Sequence, residues 1–327
     1  MLKTRIITAL ILVSLVVFTT FYLEPVWFLF ILSLFIFISI WEWFKLFPIR
    51  NKDEYFMYWL LPILYFYALE PFVLGALSIT AVGFFERSVV IFQIFYLPLV
   101  FFWLIIAPLV IISREKYIKH VEYKPRYPEA NSIYDPFRIE GPDPWRGIII
   151  GPRGTFFNFF LGNFLLWGMW LILVILLFYN PYILLLLFLI IWSADIVAYF
   201  SGKKYGKHML ASNISPNKTW EGVIGGLVAG ISTTFLALYF FGEFLGVDIM
   251  QASSVKLILL SSVTVIYSII GDLFISTIKR NAEKKDTGAL FPGHGGVIDR
   301  IDSLMAGSVA FILCGIHLEL FGFGFYK

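Results

Sequence analysis

The sequence predicts an all-α, polytopic integral membrane protein. Only 14% of its residues are charged and 59% are hydrophobic, where soluble domains carry about 25% charged residues. Mean hydropathy is +0.84. Apolar runs of about 18–25 residues match the hydrocarbon thickness as helices, and nine such runs follow one another. Lys and Arg are distributed so that one side of those runs is basic and the other is nearly bare.

The runs fall at 6–23, 26–47, 56–80, 88–112, 156–179, 182–201, 222–242, 255–275 and 303–323. Cytoplasmic loops collect Lys and Arg. With the N-terminus inside, nine spans leave only Arg87, Lys256 and Lys327 of the 25 Lys and Arg on the outer side. Eight spans, or an inverted chain, spoil that segregation. The expected topology is N-terminus cytoplasmic and C-terminus outside. Lys3 and Arg5 ahead of the first run resemble a signal peptide, but Glu24-Pro25 replaces a small-residue cleavage site, so a retained signal-anchor is expected.

Residues 1–112 form an N-terminal group of membrane helices with few ionisable groups. Trp41-Glu42-Trp43 fits an interfacial aromatic belt with one acid at the membrane edge. Residues 113–155 carry Pro125, Pro128, Pro136, Pro142, Pro144 and Pro152, which rules out one long helix and predicts a cytoplasmic polar linker. Residues 156–327 form a C-terminal membrane domain that holds the polar motifs. Cys314 is the single cysteine, so neither a disulfide framework nor a thiolate metal site is available. The net charge of +3 matters less than its sidedness. An inward basic face suits anionic headgroups or nucleotides, and nothing calls for a nucleic acid.

Within the C-terminal domain, Asp195 lies inside the sixth run near its cytoplasmic end. An intramembrane acid usually faces the bundle interior or a wet cavity, either as a functional group or bonded to a nearby Tyr or Lys. Lys203, Lys204 and Lys207 follow among glycines without the spacing of a phosphate loop. They can neutralise phosphates or simply reach toward headgroups. Ser215-Pro216 reads as a helix start, with Ser or Thr as cap and Pro at the first helical position. Lys218 and Thr219 would then stand at a helix N-terminus that favours anions, although the dipole disfavours a cation there.

Asp272 closes the eighth run, and Lys279-Arg280, Lys285 and Pro292-Gly293-His294-Gly295-Gly296 lead to Asp299-Arg300-Ile301-Asp302. Acids at i and i+3 share one helix face, about 5–6 Å apart. Near lipid such a pair is costly to keep ionised unless a cation sits between its members. Pairing with Arg300 at a helix start is the simpler alternative. Together these acids, the capped helix start and the basic loop point to a hard cation and polyphosphate, with oxygen ligands of the kind Mg²⁺ prefers.

The run from Ser276 to Asp302, with Lys279-Arg280, Lys285-Asp286, Pro292-Gly293-His294-Gly295-Gly296 and Asp299-Arg300-Ile301-Asp302, resembles the signature of phosphatidate cytidylyltransferases. Asp195–Gly202 and Ser215–Gly222 are similar to two further motifs of that family, so the close likeness covers about residues 191–302. Asn217 stands where the family commonly has a second lysine. The resemblance implies an all-helical membrane enzyme that joins CTP and phosphatidic acid into CDP-diacylglycerol and pyrophosphate. It also implies a metal centre of Mg²⁺ with K⁺ as a second ion, held by Asp272, Asp299 and Asp302, with Asp195 a further ligand or a neighbour of one. Ser215, Lys218, Thr219 and Lys279 are expected at phosphate, joined by Lys207, Arg280, Lys285, His294 and Arg300. His294 is not expected to act as a base, because a phosphomonoester is already mostly ionised at pH 7.

The expected setting is a bacterial plasma membrane, with a homodimer whose sites face the cytoplasm. A related CTP-using lipid kinase would move the γ-phosphoryl instead. A cation-coupled transporter would place its acids near mid-membrane in paired broken helices.

Overall fold

The structure, a computed structural model, describes residues 2–47, 96–117, 154–282, 284–291 and 295–321. Among these, seven helices are long and apolar enough to cross a membrane. The chain is an all-α polytopic membrane protein, and among the described residues there is one small hairpin.

Helix α1 spans Leu2–Phe21, and α2 spans Pro25–Lys45 with Pro25 in its first turn after an extended Glu24. Proline's fixed φ and missing N–H suit that position. Helix α3 covers Tyr96–Glu115 as a span, passes through a π turn at Phe102–Ile106 and continues to Tyr117. Helix α4, Gly154–Tyr179, is hydrophobic on all sides and forms the centre of the core, with Leu171–Leu176 essentially inaccessible. This is the pattern expected of a helix surrounded by others.

Helix α5 spans Pro181–Tyr205, capped by Asn180, whose side chain accepts from Tyr182 N at 2.9 Å. Strands β1, Met209–Ala211, and β2, Ser215–Thr219, pair antiparallel. Helix α6 spans Trp220–Leu245. A one-turn helix at Val247–Met250 leads to α7, Ser254–Asn281, and then α8, Ile298–His317. Gly222, Gly226 and Gly230 form a small-residue stripe on α6. A β-carbon at Gly222 would come within 2.9 Å of the Ala198 carbonyl, and one at Gly226 within 3.3 Å of the Ala194 carbonyl. Small residues let two membrane helices approach this closely.

Several expectations change. The 56–80 run lies outside the described residues, as do the first residues of 88–112 and most of 113–155. Where residue 113 was expected to begin a polar linker, the helix runs on to Tyr117, with Arg114 buried. The eighth span extends six residues past 275, to Asn281, carrying Lys279 and Arg280 into helix. The last span begins at Ile298 rather than 303, which puts Asp299 and Asp302 inside it.

Ser215-Pro216 does not start a helix. Those residues lie in β2, and Thr219 caps α6 by accepting from Gly222 N at 3.1 Å. The reason is the hairpin, in which Ser215–Thr219 pairs with Met209–Ala211. The aromatic-belt reading of Trp41-Glu42-Trp43 is also overturned. Trp41 is exposed, but Trp43 is fully buried and Glu42 only 5% exposed. Trp43 Nε1 donates to the Asn158 carbonyl at 2.8 Å, so this end of α2 packs on α4.

Candidate active site

Lys218 owes its position to the hairpin. Glu115 at the end of α3 accepts from Ser212 Oγ at 3.0 Å and from the backbone N–H groups of Asn213 and Ile214 at 3.0–3.2 Å, while Asn213 Nδ2 donates to the Glu115 carbonyl. Arg280 donates from Nε to the Ile214 carbonyl at 3.2 Å and to the Lys284 carbonyl at 3.0 Å. The turn is thereby tied to α3 and α7. β2 then delivers Lys218 Nζ to within 2.5 Å of Asp272 Oδ2. Because Lys218 is on a strand, it escapes the unfavourable helix-dipole position. Burial disfavours its ammonium, but Asp272, then Asp195 and Asp302, outweigh that and hold its pKa above the ordinary lysine value.

Asp272 and Asp302 meet because α7 and α8 touch at Gly271, where a β-carbon would strike the Asp302 carbonyl. Ser276 Oγ donates to Asp272 Oδ1 at 3.2 Å. Asp195 on α5 completes the group, bonded to the Ser303 side chain and within electrostatic reach of Lys218, Asp272 and Arg300. Asp302 Oδ1 accepts from Ser303 N at 2.8 Å.

Asp299 faces the loop before its own helix. Its Oδ1 accepts from Lys279 Nζ at 2.7 Å. Its Oδ2 accepts from Thr287 N at 2.8 Å, Thr287 Oγ1 at 3.0 Å and Gly296 N at 2.9 Å. An acid that reaches back three residues to a free N–H in this way closes the helix start as a capping box does. Gly295 has φ +82, a left-handed conformation that glycine adopts without strain. It pairs with Phe291 through N–H groups donating both ways at 2.9 and 3.1 Å.

The structure therefore brings together Asp195, Lys218, Asp272, Lys279, Asp299 and Asp302. Thr219 caps α6 beside them. Ser215 lies at the turn end of β2, opposite Ala211, and Lys207 and Lys285 are exposed. His294 lies outside the described residues. Among the described residues, no group of three or more acidic, His or Cys side chains is placed to hold a metal ion, and Lys218 and Lys279 stand against the acids. The donors are nonetheless all oxygens, which suits a hard cation.

A cavity of about 320 Å³ opens between α1, α2, α4, α5 and α8. Its walls are apolar except for Asp195, Arg300, Ser303 and Thr19.

A family model described as the cytidylyltransferase family matches residues 3–317. The chain belongs to the cytidylyltransferase family. It is 45% identical over 129 residues to a phosphatidate cytidylyltransferase of Haemophilus influenzae, covering 39% of this chain and 44% of that one. With a phosphatidate cytidylyltransferase of Rickettsia bellii it shares 38% over 141 residues, 42% of this chain and 60% of the other. With one of Pseudomonas aeruginosa it shares 44% over 118 residues, 36% and 41% of the two chains. The chain thus spans about half the length of the curated relatives it matches.

In this cytidylyltransferase-family chain, three residues of the site escaped sequence reasoning. Thr287 and Ser276 lie within the signature run, but neither hydroxyl was singled out, since a hydroxyl in a polar loop or a helix is ordinary. Glu42 did carry a signal. It is an acid inside an apolar run, and the rule that singles out Asp195 applies to it equally.

Proposed function

We propose that this chain transfers the cytidylyl group of CTP to phosphatidic acid, giving CDP-diacylglycerol and pyrophosphate. One observation carries the reading: Asp195, Asp272 and Asp302 gather against Lys218 beside an apolar cavity whose polar wall includes Arg300. Such a site can receive a charged polyphosphate and a lipid at once.

The lipid phosphate oxygen forms a bond to the α-phosphorus of CTP, and the bond from that phosphorus to the bridging oxygen of the leaving pyrophosphate breaks. The nucleophile needs no strong base, since its second pKa is about 6. The barrier is charge repulsion and alignment, which fixed positive groups lower. Lys218, released from Asp272, donates to phosphate oxygens. Arg300 holds the lipid phosphate at the rim of the cavity, whose apolar walls take acyl chain. Asp272, Asp302, Asp195 and Asp299 would hold Mg²⁺, with K⁺ as a second ion. Mg²⁺ when bound supplies charge neutralisation at the phosphates. The setting we infer is a bacterial plasma membrane, with a homodimer whose sites face the cytoplasm.

The test is transfer of label from α-³²P-CTP into phosphatidic acid by the purified full chain with Mg²⁺, beside Asp299→Asn. Label in lipid for the wild type and none for the variant is the expected result. Transfer from γ-labelled but not α-labelled CTP would make the chain a lipid kinase and overturn the reading.

A further inference from the structure

Helix α8 has no side-chain acceptor at its N-cap position, and its own Asp299 reaches back to Gly296 N. Val297 precedes its first turn and offers no side-chain acceptor. The acceptor arrives from α2, where Glu42 Oε2 accepts from Ile298 N at 3.1 Å and from Thr287 Oγ1 at 3.0 Å. A β-carbon at Gly288 or at Gly296 would strike the Glu42 carboxylate, so both loop strands close directly on it. A carboxylate at a helix N-terminus satisfies a free N–H and complements the positive dipole end. The same Thr287 hydroxyl lies 3.0 Å from Asp299 Oδ2. Its single hydrogen serves one carboxylate at a time, so Glu42 and Asp299 are joined through a shared atom.

We propose that Glu42 is a positioning residue, a cap supplied from another helix of the same chain that fixes the first turn of α8 and through it Asp299 and Asp302. Its chemical consequence rests on the cytidylyl-transfer reading; its structural role does not. Hydrogen-bond partners that orient metal ligands typically matter about 10–100-fold, which sets the scale expected for Glu42 in that reading.

The experiment uses the purified full chain with Glu42→Ala, Glu42→Gln and Thr287→Val, and two measurements. The first is amide hydrogen exchange over residues 295–305 without substrate. The second is turnover titrated with Mg²⁺. In Glu42→Ala, exchange at the start of α8 should rise while α4 and α6 stay at wild-type rates. Turnover should fall about 10–100-fold, with more Mg²⁺ needed for half-saturation and the KM for CTP unchanged. Glu42→Gln keeps an oxygen acceptor for Ile298 N–H and should restore slow exchange. Thr287→Val should move both readouts in the same direction by less.

Wild-type exchange and wild-type Mg²⁺ dependence in Glu42→Ala would overturn the proposal. So would faster exchange spread evenly over all helices, the mark of a core residue only. If Glu42→Ala does not fold, Thr287→Val decides by the same two readouts. A wild type that makes no CDP-lipid would defeat the cytidylyl-transfer reading while leaving the exchange result to judge the cap.

Discussion

Lys218 shows how one side chain can serve two partners in turn. At 2.5 Å from Asp272 its ammonium is the nearest positive charge to an acid that also faces Asp302 and Asp195. In the proposed reaction the same charge is available to the polyphosphate. Lys218→Met should lower cytidylyl transfer by about 10²–10³-fold, the usual cost of losing one fixed donor to developing charge, and Lys218→Arg should recover part of it, as label-transfer rates will show. The sign of the pH dependence follows from the raised pKa. Stability from the ion pair is fully present below the ordinary lysine value of about 10.4 and is lost only as pH rises through the higher folded value. The pH–rate profile should therefore show no alkaline limb from Lys218 between pH 7 and 9. Asp272 and Asp302 were legible in the sequence because acids in apolar surroundings are conspicuous. Thr287 was not, because its role depends on a contact with residue 42 that no local pattern encodes.

At the scale of elements, the site depends on how closely α7 meets α8. The atom in the way of a β-carbon at Gly271 is the Asp302 carbonyl, which belongs to a helix backbone and cannot turn aside as a side chain would. Gly271→Ala should destabilise the protein by about 1–3 kcal/mol, the range for overpacking, and reduce turnover by separating Asp272 from Asp302. Gly242→Ala meets its nearest atom at an ordinary 3.9 Å and serves as control; thermal midpoints of the two variants in detergent check the contrast. Helix existence was readable from apolar runs, and several predicted ends fall within a few residues of the observed ones. The ends that carry function were misread for a common reason. Ser215-Pro216 has the chemistry of a helix start, yet the turn at Asn213 and Ile214 is claimed by Glu115, and the resulting hairpin delays the helix to Trp220. Hydropathy likewise stopped at residue 275 because Lys279 and Arg280 are charged, although α7 continues through them with their charges directed to Asp299 and to backbone carbonyls.

For the whole molecule, the N-terminal group of helices is not a passive membrane anchor. α2 contributes Glu42 and α3 contributes Glu115, so two elements that read as plain spans hold the two loops that carry candidate site residues. The basic asymmetry of the sequence makes a topological prediction. With a cytoplasmic site, Lys203→Cys should be protected from a membrane-impermeant maleimide in intact cells, and Lys256→Cys should be labelled. Cys314, the single native cysteine, is replaced by Ser beforehand. The reverse pattern would invert the assigned sidedness.

The contact between Glu42 and Ile298 spans 256 residues, which turns a static distance into a delay. At synthesis rates of about 5–20 residues per second, Glu42 leaves the ribosome about 13–50 s before its partner exists. During that interval α2 must enter the bilayer with a carboxylate that has nothing to cap. Its remaining apolar side chains have to carry the insertion, and the site acquires its shape only when the final described helix joins the bundle.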